Sequence, residues 1–200
     1  FLHLNDFLER VPIGQEQLML LIRIDAFRCM GVDKRVLLWE AHLKVGKLAN
    51  SHPEADLFRV APQEYEIPKL SHSQEEAMFD QIELLGFPLH DPFSIVEQND
   101  EAIVMARDLT KHANKSVWVK GYLIHVKRTS TSTGQSMFFG TLLDEEGEWL
   151  DTVHFPQVAE RFRFRGKGVY RIHGKVLVEY DCVNIEVDYM HKLDVLEDPR

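Results

Sequence analysis

The chain has 200 residues and a formal net charge of −9, with 23 Lys and Arg against 32 Asp and Glu. That length supports one domain or two small ones with a real core, and the longest apolar runs, such as Leu18 to Ile22, are far too short to span a bilayer. Cys29 and Cys182 are isolated, with no Cys-x-x-Cys pair, so a disulfide scaffold is disfavoured and a reducing, cytoplasmic setting is expected.

The first 48 residues read as helices. Asn5 or Asp6 can cap a short helix through Arg10. Ile13 to Phe27 carries apolar residues at 18, 21, 22 and 26, the repeat of a helix, and Gly31 can end it. Asp33 can cap a further helix to about Leu48. Residues 49–72 hold Pro53, Pro62 and Pro68 among polar residues and read as a linker. Within it, Glu54-Ala55-Asp56-Leu57-Phe58 is an acidic lead ending in two large apolar residues. Such a segment can insert Leu57 and Phe58 in a partner's pocket, or it can anchor the linker on its own domain. Ser73 and Glu76 form a capping box before an apolar run to Leu85, which Gly86, Pro88 and Pro92 close. Asp100 to His112 is expected to be helical, so 73–115 reads as a helical connector.

From Ser116 the period changes to two. Val117, Val119 and Leu123 alternate with Trp118, Lys120 and Tyr122, as in a half-buried strand. Met137 to Leu143 and Trp149 to Phe155 read as a second and third strand joined at Glu145-Glu146-Gly147. Pro156 can open a short helix to about Arg163. Val169 to Val178 and Val183 to Met190 complete the set, ahead of a short tail over 194–200. Three strands, a helix and two strands is the order of an OB-fold barrel, here over 116–193. The fold class is therefore α+β: an N-terminal helical segment followed by a five-stranded barrel.

Charge is distributed unevenly. Leu109 to Leu143 holds five basic residues and no acidic one, and Arg161 to Val178 holds six and none. The remainder carries 12 basic against 32 acidic residues, so an acidic chain concentrates its positive charge in one half. That is the pattern of a local polyanion site. OB barrels bind across strands two and three and through the 1–2 and 4–5 loops. The 1–2 loop is read as 127–134, where Lys127, Arg128, Thr129 and Thr131 suit phosphate contacts. Phe138 or Phe139 can stack a base; the alternative is that Phe139 is core and the loop is merely solvated. Arg161-Phe162-Arg163-Phe164-Arg165 alternates charge and ring: extended, its guanidiniums share one face, while in a helix they splay. The ten His residues are scattered, no metal-ligand spacing and no nucleotide loop occurs, and no catalytic residue is nominated.

Val119 to Thr129, Gly134 to Phe139, Leu142, Asp144 and Gly147 together resemble the OB domain of the alpha (polymerase) subunit of bacterial DNA polymerase III, a C-family replicative enzyme. More loosely, they are similar to the anticodon-binding OB domains of aspartyl-type tRNA synthetases. Glu83 to Leu89 is similar to the family's segment ahead of that domain, and Leu20 to Gly31 resembles the end of its tandem helix-hairpin-helix region, with Asp25 where the family usually has Gly. The resemblance covers almost the whole chain. It implies single-stranded template binding, with Phe139 as the stacking residue and Lys127, Arg128, Arg163 and Arg165 as phosphate contacts. It also implies a clamp-binding peptide at Glu54, Asp56, Leu57 and Phe58, with Glu54 where the family has Gln. The implied partners are single-stranded DNA, the sliding clamp and other replisome subunits, with no membrane. The family's palm carboxylates, and the magnesium they hold, would lie outside this chain, so no cofactor is expected within it. With a start at Phe1, we expect a piece of a longer polymerase that contributes binding and not catalysis. The alternative is a protein-interaction OB module of the replisome that does not itself bind DNA.

Overall fold

The computed structural model describes residues 1–48, 74–97, 102–180 and 182–199. They form two compact units, residues 1–89 with 198–199 and residues 90–197, and the division at 89/90 falls inside the expected connector. Glu54, Asp56, Leu57 and Phe58 lie outside the described residues.

The first unit is helical: α1 (Leu4–Arg10), α2 (Gln15–Arg23), α3 (Lys34–Leu48) and α4 (Gln74–Leu85). Leu4, Phe7, Leu18, Ile22, Phe27, Leu37 and Ala41 form its core. The cap of α1 is His3, whose Nδ1 accepts from the Asp6 amide at 3.1 Å, rather than Asn5 or Asp6. Asp33 caps α3 as expected, accepting from the Arg35 amide at 2.8 Å. Helix α2 ends four residues before Phe27. Asp25 takes a left-handed conformation (φ 65°), and the turn it makes carries Phe27 into the core while Ala26 stays exposed. A non-glycine residue there is strained, and Asp is among the side chains that tolerate it best.

The second unit is a closed barrel with strand order β1-β2-β3-β5-β4. Its strands are β1 (Ser116–Ser130), β2 (Ser136–Leu143), β3 (Trp149–His154), β4 (Val169–Glu179) and β5 (Cys182–Lys192), with α5 (Pro156–Arg161) between β3 and β4. All pairings are antiparallel except β3 with β5. This is an OB fold, and its core is built from the inward positions of every strand, among them Val119, Leu142, Leu150, Tyr170, Ile172 and Ile185. The helix expected over Asp100 to His112 is a 3-10 helix over Ala106–His112, and residues 102–105 ahead of it are not helical. It delivers Leu109 to the barrel core. Asp144, fully inside the β2–β3 hairpin, accepts from the amides of Ala106, Glu146 and Glu148 at 2.8 to 3.0 Å, which fixes that turn.

Strand β1 runs further than its sequence pattern suggested. Lys127, Arg128 and Thr129 pair with Phe139, Phe138 and Met137 on β2, so they are strand residues and the loop shrinks to 131–135. Hydrogen bonds between Thr131 and Gln135 and from the Gly134 amide to Thr131 close it, with Gly134 at φ 79°. The ladder is favoured because each added pair satisfies backbone groups that a loop would leave to water.

Candidate nucleic-acid interface

The pairing of β1 with β2 sorts the expected ligand residues onto two faces. Successive side chains of a strand point to opposite sides, and directly paired residues share a side. Gly140 and Leu142 are buried inward positions of β2, so Phe138 falls on the inward side and Phe139 on the outer one. Lys127 pairs with Phe139, and both are exposed, the ring by 40%. Arg128 pairs with Phe138 on the opposite side. Thr129 and Thr131 are half-buried, and the Thr131 hydroxyl accepts from the Gln135 amide at 3.1 Å and contacts Thr133 at 2.9 Å. Thr131 therefore shapes the loop.

Helix α5 stops at Arg161, Phe162 takes an extended conformation, and residues 163–168 belong to no helix or strand. Phe162 and Phe164 turn onto the barrel core, while Arg161, Arg163 and Arg165 are exposed. Tyr170 anchors this segment. Its ring is fully buried, its hydroxyl donates to the Gly166 carbonyl at 2.8 Å, and it accepts from the Arg165 amide at 2.7 Å. Burial raises the Tyr170 phenol above its ordinary pKa, with a smaller opposing pull from the Arg165 amide and charge.

On the inward side these parts meet in a groove of about 570 Å³. Arg128 and Phe138 line it from the hairpin, and Arg163 and Phe164 from the segment after α5. The Arg128 guanidinium is held by the Ser136 hydroxyl, at 2.7 Å from Nη2 and 3.2 Å from Nε. Phe164 occupies space that only glycine leaves open: a Cβ on Gly140 would lie 2.8 Å from the ring and 2.7 Å from the Thr152 hydroxyl. Behind it His154 is fully buried and meets Phe164 edge to face at 4.7 Å. The Thr152 hydroxyl donates to the Gly140 carbonyl, so it accepts from His154 Nε2–H at 3.0 Å and leaves Nδ1 unprotonated. Burial drives the His154 pKa down to about 4, which keeps the ring neutral at physiological pH.

Several cations in the acid-free windows are engaged within the fold. Lys120 is buried against Glu145, Lys111 pairs with Asp108 at 2.5 Å, and Lys167 donates to the Ile124 carbonyl. Arg171 is buried with its guanidinium 4.3 Å from the centre of the Trp118 ring. By contrast, no carboxylate among the described residues forms an ion pair with Lys127, Arg128, Arg163 or Arg165. Of the residues that shape this site, Ser136, Gly140, Thr152, His154, Phe164 and Tyr170 were not nominated from sequence. Phe164 alone carried a signal, as a ring inside the arginine run. Among the described residues no group of three or more His, Cys, Asp or Glu is placed to hold a metal ion, and no helix is long and apolar enough to cross a membrane.

No protein-family model matches the chain. In sequence it is similar to the error-prone DNA polymerase of Bradyrhizobium diazoefficiens, with 28% identity over 172 residues, covering 82% of this chain and 14% of that protein. It is also similar to the error-prone DNA polymerase of Rhodopseudomonas palustris strain HaA2, with 26% identity over 184 residues, covering 86% and 15%. The chain thus spans about one seventh of the length of the curated relatives it matches. The resemblance to a bacterial C-family DNA polymerase holds, and these relatives carry the error-prone name rather than that of the replicative alpha subunit. Among solved structures, it is similar to the second OB-fold domain of replication protein A from Methanococcus maripaludis (20% identity, 42% of this chain, 91% of that one, TM-score 0.32). The single-stranded DNA binding protein from Thermus aquaticus is another (14% identity, 38% and 39%, TM-score 0.34).

Proposed function

We propose that this chain is a DNA-binding segment of a cytoplasmic bacterial DNA polymerase and that its OB barrel holds single-stranded template. One observation carries the reading. Lys127 and Phe139 face each other across the β1–β2 ladder, both exposed, with no carboxylate among the described residues paired to the lysine. A cation beside an open aromatic face is what a single strand needs, since the phosphate meets the charge and the base stacks on the ring. Arg163 and Arg165, projecting from a segment pinned by Tyr170, extend the positive surface. The similarity to error-prone DNA polymerases supplies the context, and catalysis of nucleotide addition belongs to parts of such enzymes that this reading does not assign to the chain.

The decisive experiment is a fluorescence-anisotropy titration of a labelled single-stranded oligonucleotide at low and moderate salt, with duplex alongside. Single-strand preference that weakens with salt is expected. Absence of binding at low salt would instead favour a barrel that docks proteins. The clamp-binding reading of Glu54, Asp56, Leu57 and Phe58 rests on the sequence resemblance alone. For it we expect the double variant Leu57→Ala, Phe58→Ala to lose sliding-clamp binding while strand binding is kept; equal clamp binding by both proteins would reject it.

A further inference from the structure

The groove between β2 and α5 lies on the other side of β2 from Phe139, so a base stacked on that outer ring does not fill it. We infer that the groove receives one unstacked nucleotide of the bound strand, its phosphate between Arg128 and Arg163 and its base against Phe138 and Phe164. The inference rests on the strand-binding reading and adds to it a place where a single base leaves the run of its neighbours.

Four observations support it. A volume of about 570 Å³ falls in the range of small-molecule pockets and leaves room for a base with its sugar. The two guanidiniums come from separate elements, and neither is neutralised by a carboxylate among the described residues. Arg128 is pre-set: two of its nitrogens contact the Ser136 hydroxyl, and the remaining donors of the planar fork stay available for phosphate oxygens. Finally, the Phe164 wall is rigid, fixed by the gap at Gly140, by His154 and by an edge contact with Tyr170 at 5.5 Å. A wall that does not need to be ordered on binding lowers the entropic cost of stacking.

The polar lining also predicts which base enters. Glu160 and Gln135 border the groove. The Glu160 carboxylate repels phosphate and can only accept hydrogen bonds, so it orients the nucleotide with its charge at the arginines and its base edge toward the acid. Cytosine and adenine present an amino group at the base edge to such an acceptor, whereas thymine offers only its N3–H between two carbonyl oxygens that the carboxylate repels. An oligo-dC strand is therefore expected to bind more tightly than oligo-dT.

The test titrates labelled dC and dT 15-mers with the whole 200-residue chain and with Phe138→Ala, Arg163→Ala, Glu160→Gln and Phe139→Ala, with a thermal melt of each protein. Phe138→Ala and Arg163→Ala should each weaken dC binding by about tenfold, and Glu160→Gln should abolish the preference for dC. Arg163 also belongs to the positive surface of the outer-face reading, so if Phe138→Ala melts early the exposed Glu160 decides the matter: loss of the dC preference in Glu160→Gln supports the groove and its survival overturns it. Unchanged affinity in Arg163→Ala and in a folded Phe138→Ala, with weakened binding in Phe139→Ala, would overturn the groove and leave strand binding on the outer face standing. If the unaltered chain binds neither strand, both readings fall together.

Discussion

Positive charge is handled in opposite ways by the helical unit and by the barrel's candidate ligand face. In the helical unit Lys34 is buried and meets Asp80 at 2.5 Å, Arg23 meets both Asp80 and Glu83 at 2.8 and 2.9 Å, and Arg35 meets Glu76 at 2.6 Å. Burial alone would raise the Asp80 pKa, but the hydrogen bonds from Lys34 and Arg23 outweigh it and hold the carboxyl below its usual range. On the barrel, Arg128 leans on a neutral hydroxyl, and Lys127, Arg163 and Arg165 meet no carboxylate among the described residues. Buried charges must be compensated inside the protein, whereas exposed ones left uncompensated stay available for a ligand. The same local sequence property, a run of basic residues, therefore serves architecture at Lys120 and Arg171 and is free for phosphate at Arg128 and Arg163.

The largest effect should come from breaking the compensated cluster. Asp80→Ala strands the Lys34 ammonium in the interior, a loss expected to cost about 3–5 kcal/mol. A denaturant melt should show the helical unit unfolding early while strand affinity, carried by the barrel, changes little. Lowering the pH acts in the same direction. A carboxyl whose pKa is depressed on folding contributes stability above its unfolded value, and that contribution fades as pH falls toward its folded one.

Next in size is the buried histidine of the barrel. His154 titrates near 4 when folded and near 6.5 when unfolded, so the unfolded chain binds the extra proton between those values. Its contribution is whole above pH 6.5 and is lost as pH falls to 4, a decline of roughly 3 kcal/mol. Unfolding free energies of the unaltered chain and of His154→Gln, followed across that window by a barrel signal, should differ in slope; equal slopes would mean that the ring is not held neutral by burial. Smaller again is Gly140→Ala. Its methyl would displace Phe164 or Thr152, at a cost of about 1–3 kcal/mol, and weakened strand binding by the still-folded variant would tie the groove wall to the ligand.

Much of this architecture was legible in sequence because it rests on local periods. The alternation from Ser116 and the order of three strands, helix and two strands led to the barrel directly, and Gly134 and Gly147 marked its hairpin turns. The sorting of the candidate ligand residues was not legible. It depends on the register that pairs Lys127 with Phe139, and one residue of slip would exchange the two faces. The groove depends on contacts distant in sequence: Phe164 fills the gap at Gly140, and Tyr170 pins the loop before it. A glycine inside a strand and a buried tyrosine hydroxyl have no local signature that distinguishes them from ordinary core. The end of α2 was missed for a different reason, because Asp25 takes up a left-handed conformation that is routine for Gly and only occasional for Asp.

The smallest expected effects fall on the uncompensated cations, and they separate ligand binding from stability most cleanly. Lys127→Gln removes an exposed charge with no ion pair among the described residues, so the melting temperature should stay within measurement error. Its effect should appear instead in the salt dependence of strand binding. Neutralising one cation that meets a phosphate of a single strand reduces the slope of log affinity against log salt by about 0.7. Lys127→Gln should show one such decrement and Lys127→Gln with Arg163→Gln two, with affinity falling alike for all strand sequences. Lys111→Gln supplies the contrast, since that lysine is already paired with Asp108. A slope that falls as much for Lys111 as for Lys127 would mean that the barrel attracts DNA through its diffuse field, and that the pairing of Lys127 with Phe139 is not where the strand is held.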